Sequence, residues 1–124
     1  MECQTQELAN VMLVRLAGRV DHTTAKRLED QLLPQLDSAA GVDGKVVLDL
    51  SNLDYMSSAG LRVLTLAAKH CQKQQREIVV AALQPLLQEV FRISRFDTVF
   101  KVFKTVREAL ETIAPAAASV YEGH

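Results

Sequence analysis

Hydrophobic and polar residues alternate with two different periods along this chain, and each change of period marks a new element. Over residues 10–18 (NVMLVRLAG), Val11, Leu13, Arg15 and Ala17 share one face and Met12, Val14 and Leu16 the other. That is the two-residue period of a strand, with only Arg15 clearly polar. An extended segment over residues 3–8 can pair with it as a hairpin through Ala9 and Asn10, although no Asn-Gly or Asp-Gly pair fixes the turn. Leu28, Leu32, Leu33 and Leu36 then recur at helical spacing behind the capping oxygens of residues 21–24, which predicts a first helix over about 23–38. Pro34 removes one backbone hydrogen bond there and is expected to kink the last turn or shorten the helix.

Residues 41–44 read as a turn, and 45–50 (KVVLDL) as a strand buried on both faces and central in its sheet. Residues 51–56 (SNLDYM) read as an acidic loop. Behind it Leu61, Leu64, Ala68 and Cys71 form a stripe, widened by Val63 and Ala67, on a second helix over about 58–74. A strand is expected over 77–83 and a third helix over 84–93, with Pro85 tolerated in its first turn and Leu87, Val90 and Phe91 facing inward. A short strand over 99–103 leads to a last helix, opened by Thr105 and Glu108 at capping-box spacing and stopped by Pro115. Residues 116–124 carry little to bury and are expected to be a disordered tail. The alternation of strands and helices predicts one α/β domain over residues 1–115, with a mixed sheet of four to five strands and about four helices packed on it.

Composition narrows the function. With 48% hydrophobic and 23% charged residues over 124 positions, the chain can bury a core of its own. A net charge of −1 gives no basic footprint for nucleic acid. No apolar run approaches the roughly 20 residues that cross a bilayer, and the first residues lack the order of a signal peptide, so a cytoplasmic protein without membrane insertion is expected. Cys3 and Cys71 match neither a metal spacing nor a disulfide framework, and His22, His70 and His124 are scattered, so no cofactor is expected. Neither a Gly-x-Ser-x-Gly elbow nor a phosphate-binding Gly-Lys loop is present, which argues against an enzyme.

The remaining chemistry gathers at two serines. Ser57 and Ser58 lie where the second helix begins, against free backbone N–H groups and the positive end of the helix dipole. One of them can simply cap the helix, and Asp21 or Thr23 can do the same for the first helix. Gly60 costs about 1 kcal/mol relative to alanine inside a helix, so its presence signals a close approach to the backbone.

Two ordered motifs, GRVDHTTA over residues 18–25 and LDLSNLDYMSSAGLRVL over 48–64, resemble those of the anti-sigma-factor antagonist family of bacterial STAS-domain proteins. The resemblance spans about residues 8–113. It implies that Ser58, two positions before Gly60, is a phosphorylated serine, and that Asp21 helps present it to a kinase. The family commonly carries an aspartate before that serine; here Ser57 stands in its place and becomes a competing acceptor, while Ala59 replaces a serine or threonine. The implied partners are an anti-sigma factor that is a GHKL-type serine kinase, bound by the unmodified domain and released by phosphorylation, and a PP2C-type phosphatase that restores binding. The contact surface would draw on Asp21, His22, Thr23, Thr24, Asp54, Ser57, Ser58, Gly60 and Arg62, with the domain a monomer or weak dimer. Thr65, Lys69 and Gln72 would continue the docking face along the helix. STAS domains also regulate ABC-type lipid transporter ATPases without a phosphorylation cycle, which is the alternative.

Overall fold

A computed structural model describes residues 1–38 and 44–122, with strands β1 (Glu2–Leu8), β2 (Val11–Val20), β3 (Lys45–Met56), β4 (Glu77–Ala81) and β5 (Val102–Phe103). Its helices are α1 (Ala25–Ser38), α2 (Ser58–Lys73), α3 (Pro85–Ile93), α4 (Val106–Ile113) and α5 (Pro115–Ala118), with a 3-10 turn at Phe96–Thr98. The five strands lie side by side in chain order. β1 and β2 form the expected antiparallel hairpin, and every later neighbour is parallel, which makes the sheet mixed. The predicted turn at residues 41–44 falls on positions outside the described residues except for Gly44, whose φ of +74° suits glycine.

Alternation along β2 decides how the layers form. Met12, Val14 and Leu16 enter one core with α1, α2 and α3, while Val11 and Leu13 enter a second with α4 and α5. Helices therefore cover both faces of the sheet, and β3 between them is buried from Val46 to Leu50. In α1 the buried stripe is Leu28, Leu32 and Leu36, and the helix runs through Pro34 to Ser38 without being cut short. In α2 the buried stripe is Gly60, Val63, Leu64, Ala67 and Cys71, with Leu61 and Ala68 half-exposed at its edge. Phe91, expected to face inward, is buried, as is Phe100, and both share ring contacts with Phe96.

Three expectations need correction. Residues 51–56 are not a loop: β3 continues to Met56, pairing Asn52, Leu53, Tyr55 and Met56 with Ala17, Gly18, Arg19 and Val20. Two register shifts between the strands interrupt this pairing, each with one extra residue on the β3 side, and one lies beside Gly18, whose φ of +91° is open to glycine. The strand over 99–103 shrinks to Val102–Phe103, because the Val99 and Phe100 N–H groups both donate back to the Phe96 carbonyl of the 3-10 turn. Nor is the C-terminal segment empty of burial. Pro115 ends α4 but starts α5, and Ala117, Ala118 and Tyr121 all enter the second core. Arg107 of α4 donates to the carbonyls of Ala118 and Tyr121 and lies 5.4 Å from the centre of the Tyr121 ring.

Candidate functional site

The parallel pairing of β2 with β3 brings the two sequence motifs to one end of the sheet. Val20 stands opposite Met56, and the Ser57 N–H donates to the Val20 carbonyl at 2.8 Å. The chain after Val20 and the chain after Met56 thus leave the sheet at the same level. The first carries residues 21–24, the second Ser57 and Ser58.

Asp21 organises its own turn. Its Oδ1 accepts from the Thr23 N–H at 2.9 Å, the Thr24 N–H at 3.2 Å and the Thr23 hydroxyl at 2.6 Å. In return the Asp21 N–H donates to Thr24 Oγ1 at 3.0 Å, and the Asp21 carbonyl accepts from the Ala25 N–H at 2.9 Å. The carboxylate caps the entry to α1, and its hydrogen bonds stay within the loop. These bonds, the Thr23 hydroxyl first among them, pull its pKa down from 3.8 to about 2. Because the folded value is depressed, the stabilisation is complete above about pH 4 and is lost as pH falls toward 2. An Asp21→Asn chain is expected to show a shallower fall of thermal midpoint across that interval than the parent, measured by circular dichroism melts in closely spaced buffers. His22 and Thr23 project from this turn as exposed residues, and Thr24 is half-buried.

The two serines separate cleanly. Ser57 is the N-cap of α2, with extended backbone at φ −83° and ψ 177°, yet its side chain caps nothing. Its Oγ is buried and makes no hydrogen bond. Ser58, the first residue of α2, is exposed. The first turn of this sixteen-residue helix contains no acidic side chain, so the positive end of its dipole is uncompensated beside the Ser58 hydroxyl.

Gly60 explains the closeness of helix to sheet. A Cβ there would lie 2.6 Å from Met56 Cγ and 2.8 Å from Val20 Cγ1. The close approach inferred from sequence is therefore internal, between α2 and the ends of β2 and β3, and buried Gly60 offers no surface of its own. Gly60→Ala is expected to cost about 1–3 kcal/mol of stability through overpacking, read as a lower urea midpoint at unchanged slope.

Around this centre, Arg62 Nη2 pairs with Glu29 Oε1 of α1 at 3.1 Å. Exposed Asp54 receives a long 3.5 Å contact from Gln84 Nε2, which also donates to the Ser51 carbonyl at 2.8 Å. The Arg19 guanidinium lies 4.6 Å from the centre of the Tyr55 ring. Sequence reading missed Glu29, Gln84, Arg19 and Tyr55. Tyr55 alternates with Met56 along β3, and the two register shifts between β2 and β3 bring it opposite Arg19, a placement that the local pattern alone does not signal. Thr65 is half-buried with its hydroxyl turned back to the Leu61 carbonyl, while Lys69 and Gln72 are exposed farther along α2.

A cleft of about 520 Å³ opens elsewhere, between α3 and β5, floored by Leu83, Phe91, Val102 and Phe103. None of the residues of the two motifs lines it. Among the described residues no three His, Cys, Asp or Glu side chains gather as metal ligands, and no helix is long and apolar enough to cross a membrane. What the two segments present is an exposed surface that includes Thr23 before α1 and Ser58 at the start of α2.

The model of the STAS domain matches residues 2–109 of this chain. The chain belongs to the STAS-domain family. Among curated relatives, BtrV of Bordetella bronchiseptica, described as a candidate anti-sigma factor antagonist, is 40% identical over 109 residues, covering 88% of this chain and 90% of BtrV. The crystal structure of a candidate anti-sigma factor antagonist from Thermotoga maritima superposes on this STAS domain with a TM-score of 0.80 at 16% identity, covering 90% of this chain and 93% of that one. The Bacillus cell fate determinant SpoIIAA, solved in its phosphorylated form, gives a TM-score of 0.65 at 16% identity over 90% of this chain and 99% of its own. These structures share the fold of this STAS domain: the mixed sheet with helices on both faces.

Proposed function

We propose that this STAS domain is a partner-switching regulator of the anti-sigma-factor antagonist type. Unmodified, it binds an anti-sigma factor that is also a GHKL-type serine kinase, and so frees that kinase's client. Phosphorylation of Ser58 ends the complex, and a PP2C-type phosphatase restores it. The docking surface combines the turn bearing Asp21, His22, Thr23 and Thr24 with Asp54, Ser58 and Arg62. The reading places the domain in the cytoplasm, as a monomer or weak dimer without catalytic activity of its own.

One observation carries this reading: of two adjacent serines at the start of α2, Ser58 is exposed and the Ser57 hydroxyl is sealed. A phosphoryl group on Ser58 adds about −1.5 to −2 charge where helix N–H groups and the dipole can accept it, so the free domain tolerates modification. In an interface, the same charge beside Asp54 and the Asp21 turn brings repulsion and a desolvation cost. The relationship to BtrV, and the existence of a SpoIIAA structure in a phosphorylated form, support the choice of partner class. The test is to incubate the protein with its kinase and ATP and to locate the phosphate by fragment mass spectrometry. A single phosphate on Ser58 is expected; a phosphate on Ser57, or none, overturns the reading.

A further inference from the structure

Ser58 and Arg62 are four residues apart on α2, the spacing at which side chains meet on one helix face. In the unmodified protein the Arg62 guanidinium is engaged elsewhere, by Glu29 of α1 at 3.1 Å. The pair sits at the surface, with the arginine side chain 64% exposed, so the bond is weak and open to competition. Lys26 of α1 feels both Glu29 and Arg62 electrostatically, while its own hydrogen bond goes to Asp30 at 3.1 Å. One turn after Ser58, α2 thus carries a guanidinium held by a single carboxylate on α1.

We propose that Arg62 senses the modification: when Ser58 carries a phosphoryl group, the Arg62 guanidinium leaves Glu29 and binds the phosphoryl oxygens. This rests on the reading of Ser58 as the modified residue. A phosphate offers up to two charges and several acceptor oxygens, and a guanidinium can bind two of them in parallel. The Glu29 carboxylate offers one charge and is half-buried on a separate helix. The exchange moves negative charge outward in two places at once. The phosphate sits at the start of α2, and Glu29 on α1 loses its counter-ion. A partner docked across α1 and α2 would therefore meet repulsion over a wider area than a phosphate alone produces. No backbone movement is required, only a change of arginine rotamer.

The experiment uses the full chain with phosphoserine installed genetically at position 58, so that it does not depend on any kinase. The second ionisation of the phosphate is followed by phosphorus NMR, in the parent and in Arg62→Ala, Arg62→Lys and Glu29→Gln backgrounds. Against an ordinary value of about 6 for phosphoserine, the parent is expected to titrate lower. Arg62→Ala should raise the midpoint by about half a unit or more, Arg62→Lys should recover part of the difference, and Glu29→Gln should not raise it, because it removes only a competing carboxylate. The Arg62 Nε–H resonance should also shift between unmodified and phosphorylated chains, as it should between parent and Glu29→Gln in the unmodified state. An Arg62→Ala midpoint equal to the parent's overturns the exchange, and so does an Arg62 resonance that ignores the phosphate. Failure of a kinase to modify Ser58 would instead count against the proposed function and would leave these midpoints untouched.

Discussion

A Ser58→Ala chain is expected to take up no phosphate from its kinase, and a Ser57→Ala chain to take it up at the parent rate. The difference follows from helix phase. Ser57 keeps an extended backbone that turns its hydroxyl inward, and one residue later the chain has entered α2 with its hydroxyl outside. Loss of a serine N-cap usually costs about 1 kcal/mol. Ser57 makes no capping bond, so its removal should shift stability by no more than a few tenths of a kcal/mol, or improve it. Ser58→Asp should fold like the parent, gain from the dipole of α2, and lose at least about tenfold in affinity for the kinase by calorimetry, equivalent to about 1.4 kcal/mol. Phosphate uptake that persists in Ser58→Ala, or undiminished binding by Ser58→Asp, would remove the basis of the switch.

Truncation after Ala114 is expected to destabilise the domain by about 3 kcal/mol or more. The missing segment contributes Ala117, Ala118 and Tyr121 to the core on the α4 face, and loss of one buried aromatic alone typically costs about 3–5 kcal/mol. Arg107 would also lose its two carbonyl acceptors and the Tyr121 ring. At a urea slope of about 1–3 kcal/mol/M, the midpoint should fall by at least about 1 M, measured by far-ultraviolet circular dichroism. A frayed tail would leave the midpoint where it was. Tyr121→Ala in the full chain separates side-chain burial from helix loss and should account for most of the change.

Much of this architecture was legible because hydrophobic period is a strong local signal. The alternation over residues 10–18 placed the two faces of β2 on the two cores they enter, and Thr105 accepts from the Glu108 N–H as the capping spacing implied. The errors arose where long-range contacts override local character. Asn52 and Asp54 look like loop residues, yet they belong to a strand because β2 lies alongside, pairing Asn52 with Ala17 and the neighbours of Asp54, Leu53 and Tyr55, with Gly18 and Arg19. Small alanines beyond Pro115 show no amphipathic stripe, and only the sheet face above them and Arg107 beside them make them core. At the site, the residue pattern put Ser57 and Ser58 at the start of a helix, where the structure has them, but did not show which hydroxyl is sealed, since that depends on a backbone angle that no residue type dictates. Gly60 was correctly read as a close approach, and the atoms approached are the protein's own.

The two cores have a practical meaning for anyone watching this protein at work. Helices α1 and α2, which carry the Glu29–Arg62 pair and Ser58, share one side of the sheet, while α4, α5 and Tyr121 occupy the reverse. A fluorophore or fusion attached beyond Tyr121 therefore sits with the sheet between itself and the serine, and can report occupancy of the far side without obstructing it.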